Sequence, residues 1–155
     1  MDLKEVADGL SAKFGVADLA VDDGEVALEI DGMPIMLADR NGTAIVITGF
    51  VGEPPAEGGE AFARMMLDGT IGLMDEKAAA LARNPETGAF VLVERIAQDG
   101  LTLDAFCESL TGFVNTLETW RKLLEDFRPA AKAAKNFAAQ QPAEKDLALG
   151  GFMQV

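Results

Sequence analysis

The sequence has no histidine and no tyrosine, a single cysteine and a single tryptophan, and 13 basic residues against 26 acidic ones. Without histidine there is no Ser/His/Asp relay, no His-ligated metal, and none of the side chain that most often serves as general base at neutral pH. One thiol closes no internal disulfide, which suits a reducing compartment. That thiol, Cys107, sits between Phe106 and Glu108 in a helical pattern. Apolar and acidic neighbours offer a thiolate no cation, so Cys107 reads as a buried structural residue and not as a nucleophile. The scarcity of Lys and Arg leaves a net charge of −13, which argues against nucleic acid and against anionic membrane surfaces. A basic or neutral polypeptide is the better match as a partner. No run of about 18 apolar residues is present to insert into a membrane. The opening MDLKEVADGL also places acids where a signal peptide carries basic residues and then an apolar run, so a cytoplasmic protein is expected.

Other templates fail on spacing. The glycines at 58, 59, 69 and 72 match neither a phosphate-binding loop nor a dinucleotide fingerprint. The acids Asp18, Asp22, Asp23 and Glu25 fit no frame of a calcium loop and read as solvated turn residues. Any two acids can meet in space, so a small carboxylate-using enzyme stays open as a rival, although the shortage of Tyr and Trp speaks against a sugar cleft. No catalytic residue, metal ligand or cofactor is assigned, and a non-enzyme is expected.

Periodicity is what the chain does have. Leu3, Val6, Leu10 and Phe14 recur at helical steps up to Gly15, which predicts a short first helix. Val26, Leu28 and Ile30 alternate with Glu25, Glu29 and Asp31, which predicts an antiparallel strand with one wet face. Met33, Ile35 and Leu37 continue the alternation beyond Asp31-Gly32, a turn or bulge. Asn41-Gly42 then opens a hairpin into a β-branched strand from Thr43 to Phe50, the pair being a strong signal for a tight turn. A loop over residues 52–59 precedes a second helix expected to end near Gly69. Its Met65 and Met66, with Leu73 and Met74 beyond, suit either a core or a partner surface. Asn84-Pro85-Glu86-Thr87-Gly88 joins a final pair of strands. Thr102 caps a long helix carrying apolar residues at steps of three and four from Leu103 to Phe127. The fold class is therefore α+β: helix, three strands, helix, two-strand hairpin, helix, with helices packed on an antiparallel twisted sheet. Residues 1–128 form one domain, and 129–155 a flexible tail or weak helix ending in the loosely apolar Leu147, Leu149, Phe152 and Met153. The tail carries Lys132, Lys135 and Lys145 against Glu144 and Asp146, which leaves the body 10 basic and 24 acidic residues and a charge of −14.

The stretch Ala89 to Val93 holds five apolar residues in a row, so both faces of that strand need cover. One sheet face can lie under the helices. A second subunit is the economical cover for the other, because each fully buried Val, Leu or Phe is worth roughly 1.5–3 kcal/mol.

LARNPETGAFVLVERIAQDGLTLDAFCESLTGFVNTLETWRKLL, residues 81–124, resembles the class I type III secretion chaperones, the Tir chaperone (CesT-like) family. Those proteins carry a similar acid-rich hairpin followed by LVER, DGLT and a helix with FVN and a Trp. The resemblance implies a small acidic homodimer that binds the N-terminal region of a secreted effector in the cytosol. It would keep that region extended and secretion-competent and deliver it to the export apparatus without ATP. The resemblance also implies that the second helix and the later strands form the dimer contact, here Phe62, Met65, Met66, Val91 and Val93. Which strand face meets the partner stays open, Phe90, Leu92 and Glu94 lying on one side and Val91, Val93 and Arg95 on the other. Effector capture is expected at outward residues among Phe14, Val26, Leu28, Ile30, Ile35, Leu37 and Ile45, some of which must instead be core. The rivals are a same-fold regulator that binds another protein outside secretion, and the carboxylate enzyme.

Overall fold

A computed structural model describes residues 1–129; the tail expected over 129–155 otherwise lies outside the described residues. Helix α1 spans Leu3–Phe14. Asp2 caps it reciprocally: its carboxylate accepts from the Glu5 N–H at 2.8 Å, and the Glu5 carboxylate accepts from the Asp2 N–H at 2.8 Å, so two otherwise unpaired backbone donors are satisfied. Strands β1 (Glu25–Ile30), β2 (Met33–Arg40) and β3 (Ala44–Gly52) form the meander. Asp31 and Gly32, at φ 51° and 75°, make a two-residue turn and not a bulge, since Ile30 pairs directly with Met33. Asn41 and Gly42 turn the second corner at φ 56° and 67°, the left-handed pair whose twist matches that of the flanking strands.

Helix α2 runs Gly59–Glu76, past Gly69 where the sequence suggested a stop. The reason is packing. A Cβ at Gly69 would lie 2.6 Å from the Trp120 ring, so this glycine makes room for an indole instead of ending a helix. Strands β4 (Ala79–Arg83) and β5 (Phe90–Ala97) follow, then α3 (Leu103–Asp126), capped by the Thr102 hydroxyl, which accepts from the Ala105 N–H at 3.2 Å.

The five strands lie in the order β1-β2-β3-β5-β4, every neighbour antiparallel. All three helices bury their apolar stripes on one face of this sheet. Leu3, Val6 and Leu10 of α1, Phe62 and Met66 of α2, and Phe106, Phe113 and Leu117 of α3 share one cluster with the inward strand residues. Phe62 is its hub, stacked on Phe90 at 5.6 Å and edge-on to Trp120 at 6.1 Å and Phe127 at 5.2 Å. Gly49 lets α3 approach β3, since a Cβ there would meet Leu117 at 2.6 Å.

Among the described residues one charge lies inside. Glu94 is 6% exposed on the inward face of β5, and its Oε2 finds no hydrogen-bond partner among the described residues. Burial pushes its carboxyl above the ordinary range, and the Lys77 ammonium draws it part of the way back. Lys77 itself donates to the Thr116 hydroxyl at 3.1 Å and to the Gly112 carbonyl at 3.5 Å. A group with a raised folded-state pKa contributes stability that is complete below its unfolded value and lost as pH rises through the folded one. Glu94→Gln should therefore match the wild type in thermal melts at about pH 4. Toward neutral pH it should melt a few degrees higher, about 1 kcal/mol for relieving an unpaired buried carboxylate. A Tm difference independent of pH would assign the effect to packing and not to charge.

Candidate functional site

Among the described residues two apolar surfaces remain uncovered. The first is a groove of about 760 Å³. Leu10 and Phe14 of α1, with Val16 and Leu19 from the segment after it, form one wall. Leu28 and Ile30 of β1 form the floor, and Cys107, Leu110 and Val114 of α3 close the far side. The segment is held in place by Ser11, whose hydroxyl accepts from the Leu19 N–H at 3.0 Å. Lys13 of α1 pairs with Asp104 of α3 at 2.8 Å at the same end of the molecule. Among the described residues of the lining Glu29 and Asp31 are the charged ones, with no Lys or Arg beside them.

The floor strand is also a sheet edge. Among the described residues β1 has β2 on one side and no strand on the other, so its outer N–H and C=O groups can take a further strand. At the opposite edge, β4, the position of a next strand is taken by α2. The Thr70 hydroxyl accepts from the Leu81 N–H at 3.0 Å and donates to the Met66 carbonyl at 3.0 Å. An extended peptide therefore finds an open edge beside an apolar trough at β1 and a blocked one at β4.

Of the seven residues expected to capture an effector, the structure brings three together here: Phe14, 61% exposed at the lip, and the half-buried Leu28 and Ile30. Val26, Ile35, Leu37 and Ile45 are core residues, and that expectation is corrected for them. Alternation sorts side chains onto two faces without saying which face is covered. In β1 to β3 the apolar set is the one beneath the helices. The sequence reading passed over Val16 and Leu19, although apolar residues in a loop rich in Asp were a signal. Cys107 is half-buried in the groove wall, where full burial was expected. The acids after Leu19 shape the entry to β1: Asp22 and Glu25 exchange backbone hydrogen bonds, each 2.9 Å, around Asp23-Gly24. Among the described residues no three thiols or carboxylates converge as metal ligands would.

The second surface is the outer sheet face. Val91 and Val93 lie on it, half-buried, opposite Phe50 and Thr48 of β3 and Ala82 and Ala80 of β4. Phe90, Leu92 and Glu94 point the other way, under the helices. On α2, Leu67, Ile71 and Met74 are 66%, 69% and 66% exposed. At about 100° per residue, Thr70, which faces β4, falls between this stripe and the inward Phe62, Met66 and Gly69. The exposed stripe thus continues round α2 beyond the β4 edge, on the side of the outer sheet face. Of the five residues expected at a dimer contact, Phe62 and Met66 are core, and Met65 packs against that core. Val91 and Val93 alone among them face outward from the sheet. The helix is apolar on nearly every side, so period alone did not select its buried stripe.

The model of the Tir chaperone protein (CesT) family matches residues 5–121. A comparison with curated protein sequences finds no match. Among solved structures, the chain is similar to one in the ExsC–ExsE complex at 20% identity and TM-score 0.68, covering 80% of this chain and 97% of that one. It is similar to one in the HopA1–SchA chaperone–effector complex at 19% identity and TM-score 0.66, over 77% and 92% of the two chains. A third likeness is to the ExoU–SpcU complex from the type III secretion system of Pseudomonas aeruginosa, at 15% identity and TM-score 0.61, over 78% and 98%.

Proposed function

Since the chain belongs to the Tir chaperone protein (CesT) family, we propose that it is a type III secretion chaperone working in the bacterial cytoplasm as a homodimer, with a secreted effector as its client. The observation that carries this reading is the apolar groove beside the open edge of β1. A segment from the N-terminal region of the effector adds to that edge in extended form. Its main chain pairs with β1, and alternate side chains drop between Phe14, Leu28, Ile30 and Val114. Held so, the segment is kept from collapsing into its own fold, and it is handed to the export apparatus without catalysis or ATP. Glu29 and Asp31 at the groove, and the acidic body around them, favour segments with Lys or Arg beside their apolar anchors.

The outer sheet face and the exposed stripe of α2 support a second copy. Val91, Val93, Phe50, Leu67, Ile71 and Met74 together offer an apolar surface that a lone chain would leave to water, and surfaces of this kind mark interfaces.

Co-expression with candidate effectors from the same locus, followed by size exclusion with light scattering, should give two chaperone chains per effector. Leu28→Asp or Ile30→Asp should weaken that complex by about tenfold or more, since each removes roughly 1.5–3 kcal/mol of buried apolar contact. The dimer mass should stay unchanged. Full binding by both variants would move the effector site away from the groove. Raising salt should also weaken binding, through the acidic rim.

A further inference from the structure

We infer that Glu29 selects the client's sequence at one fixed position: the segment taken up at β1 carries a Lys or Arg between two apolar residues, with the base directly opposite Glu29. The inference rests on the groove being the effector site and names the chemistry which that site prefers. Backbone geometry fixes the position. Along a strand in an antiparallel ladder, successive residues turn their N–H and C=O alternately toward one neighbour and toward the other. Glu25 gives both of its groups to Asp22, the N–H donating to the Asp22 carbonyl and the carbonyl accepting from the Asp22 N–H, each at 2.9 Å. Ile30 pairs with Met33 across the two-residue turn and so faces β2. Counted from either end, Val26 and Leu28 bond to β2, whereas Ala27 and Glu29 hold their groups outward. Asp22 already takes the place beside Glu25. Among the described residues the free edge is therefore short, running from Ala27 to Asp31, and Glu29 is its middle.

Side chains follow the pleat. A client residue paired with Leu28 or Ile30 drops to the same side as those two, into the trough with Phe14, Leu19 and Val114. The residue between them turns to the outer sheet face and stands about 5 Å, Cβ to Cβ, from Glu29. An apolar, basic, apolar triplet reads the same in both directions, so the pairing holds whichever way the client runs. Glu29 is exposed, and among the described residues it forms no ion pair. Its neighbour on the β2 side is Pro34, whose ring offers it neither charge nor hydrogen bond. A client base opposite Glu29 supplies the missing opposite charge, and a client acid there meets a like one. Asp31 differs in kind. It sits in the turn at φ 51°, past the last residue of β1, so it adds to the acidic field without reading a position.

The experiment titrates the full chain into fluorescein-labelled synthetic peptides and follows anisotropy at low salt. The peptide frame is GSTIXITSG, with Lys, Gln or Glu at X. Affinity should fall in the order Lys, Gln, Glu, with about tenfold between the extremes. Glu29→Lys should invert the order by a similar factor, and Glu29→Gln should level it. Both changes fall on an exposed side chain and spare the core. Asp31→Asn, which keeps a residue suited to the left-handed turn, should weaken the Lys peptide slightly and keep the order. An order that survives Glu29→Lys would overturn the proposal. So would an order that Asp31→Asn levels as fully as Glu29→Gln does, since selectivity would then come from net charge and not from register. Leu28→Asp separates this failure from that of the groove itself. Peptides that lose binding in Leu28→Asp but ignore Glu29 defeat this proposal alone and leave the groove as effector site. Peptides that bind Leu28→Asp fully, or do not bind the unaltered chain, defeat both.

Discussion

Leu67→Asp combined with Ile71→Asp should turn a particle of twice the chain mass into one of 16.4 kDa. Both side chains lie two-thirds exposed on α2 and contribute nothing to the buried cluster, so the separated chain keeps its fold. In the proposed dimer each would be removed from water against the partner, along with Met74, Val91 and Val93. A carboxylate in that setting lacks a counter-ion and costs several kcal/mol on each side of the interface. At about 1.4 kcal/mol per tenfold, the dissociation constant should rise by roughly a thousandfold or more. Light scattering checks the mass, and circular dichroism checks that the monomer is folded. A particle of unchanged mass would remove α2 from the interface. Val91→Asp with Val93→Asp tests the sheet half of the same surface and should give the same mass.

Phe62→Ala should act in the opposite way, costing stability without acting through the interface. Its ring touches Phe90, Trp120 and Phe127 at once and is fully buried. Truncation removes the contact point of α2, β5 and the end of α3 together. Losses of this kind run to about 3–5 kcal/mol, against total stabilities of about 5–15 kcal/mol. The melting temperature should fall by roughly 10 °C, and the urea midpoint should fall with it. Had Phe62 been a dimer contact, as the family resemblance implied, the same change would have yielded a monomer of nearly unaltered stability. The two outcomes separate the readings in one melt.

What could be read from the sequence divides along a physical line. Asn41-Gly42, Asp31-Gly32, the Thr102 cap and the long apolar stripe from Leu103 are local signals, and each marks the element or turn where the chain builds it. The element order and the α+β class followed from them. What failed needed partners distant in sequence. Gly69 resembles a helix stop until Trp120 is placed against it. The choice between the Phe62–Met66 stripe and the Leu67–Ile71–Met74 stripe of α2 is made by Thr70 bonding to Leu81. In the meander the alternation of Val26, Ile35, Leu37 and Ile45 was legible, but its sign was not. Only the placement of the helices shows that these side chains face inward, and that the trough is open just where Leu28 and Ile30 meet Phe14.

The hydroxyl of Thr70 against Leu81 has a consequence for fibre growth. In the proposed mode of capture, the strand edge at β1 that takes the effector would also be a template for stacking. Unlimited stacking requires two complementary edges on every unit, so that each arrival exposes the next docking place. Among the described residues this sheet has one, since α2 terminates the other. Two chains can at most close on each other, edge to edge, and a client strand added at β1 presents its own far side but leaves the chaperone with nothing further to offer. The threonine thus makes the sheet a chain terminator, and strand pairing can serve capture without seeding a filament of the chaperone itself.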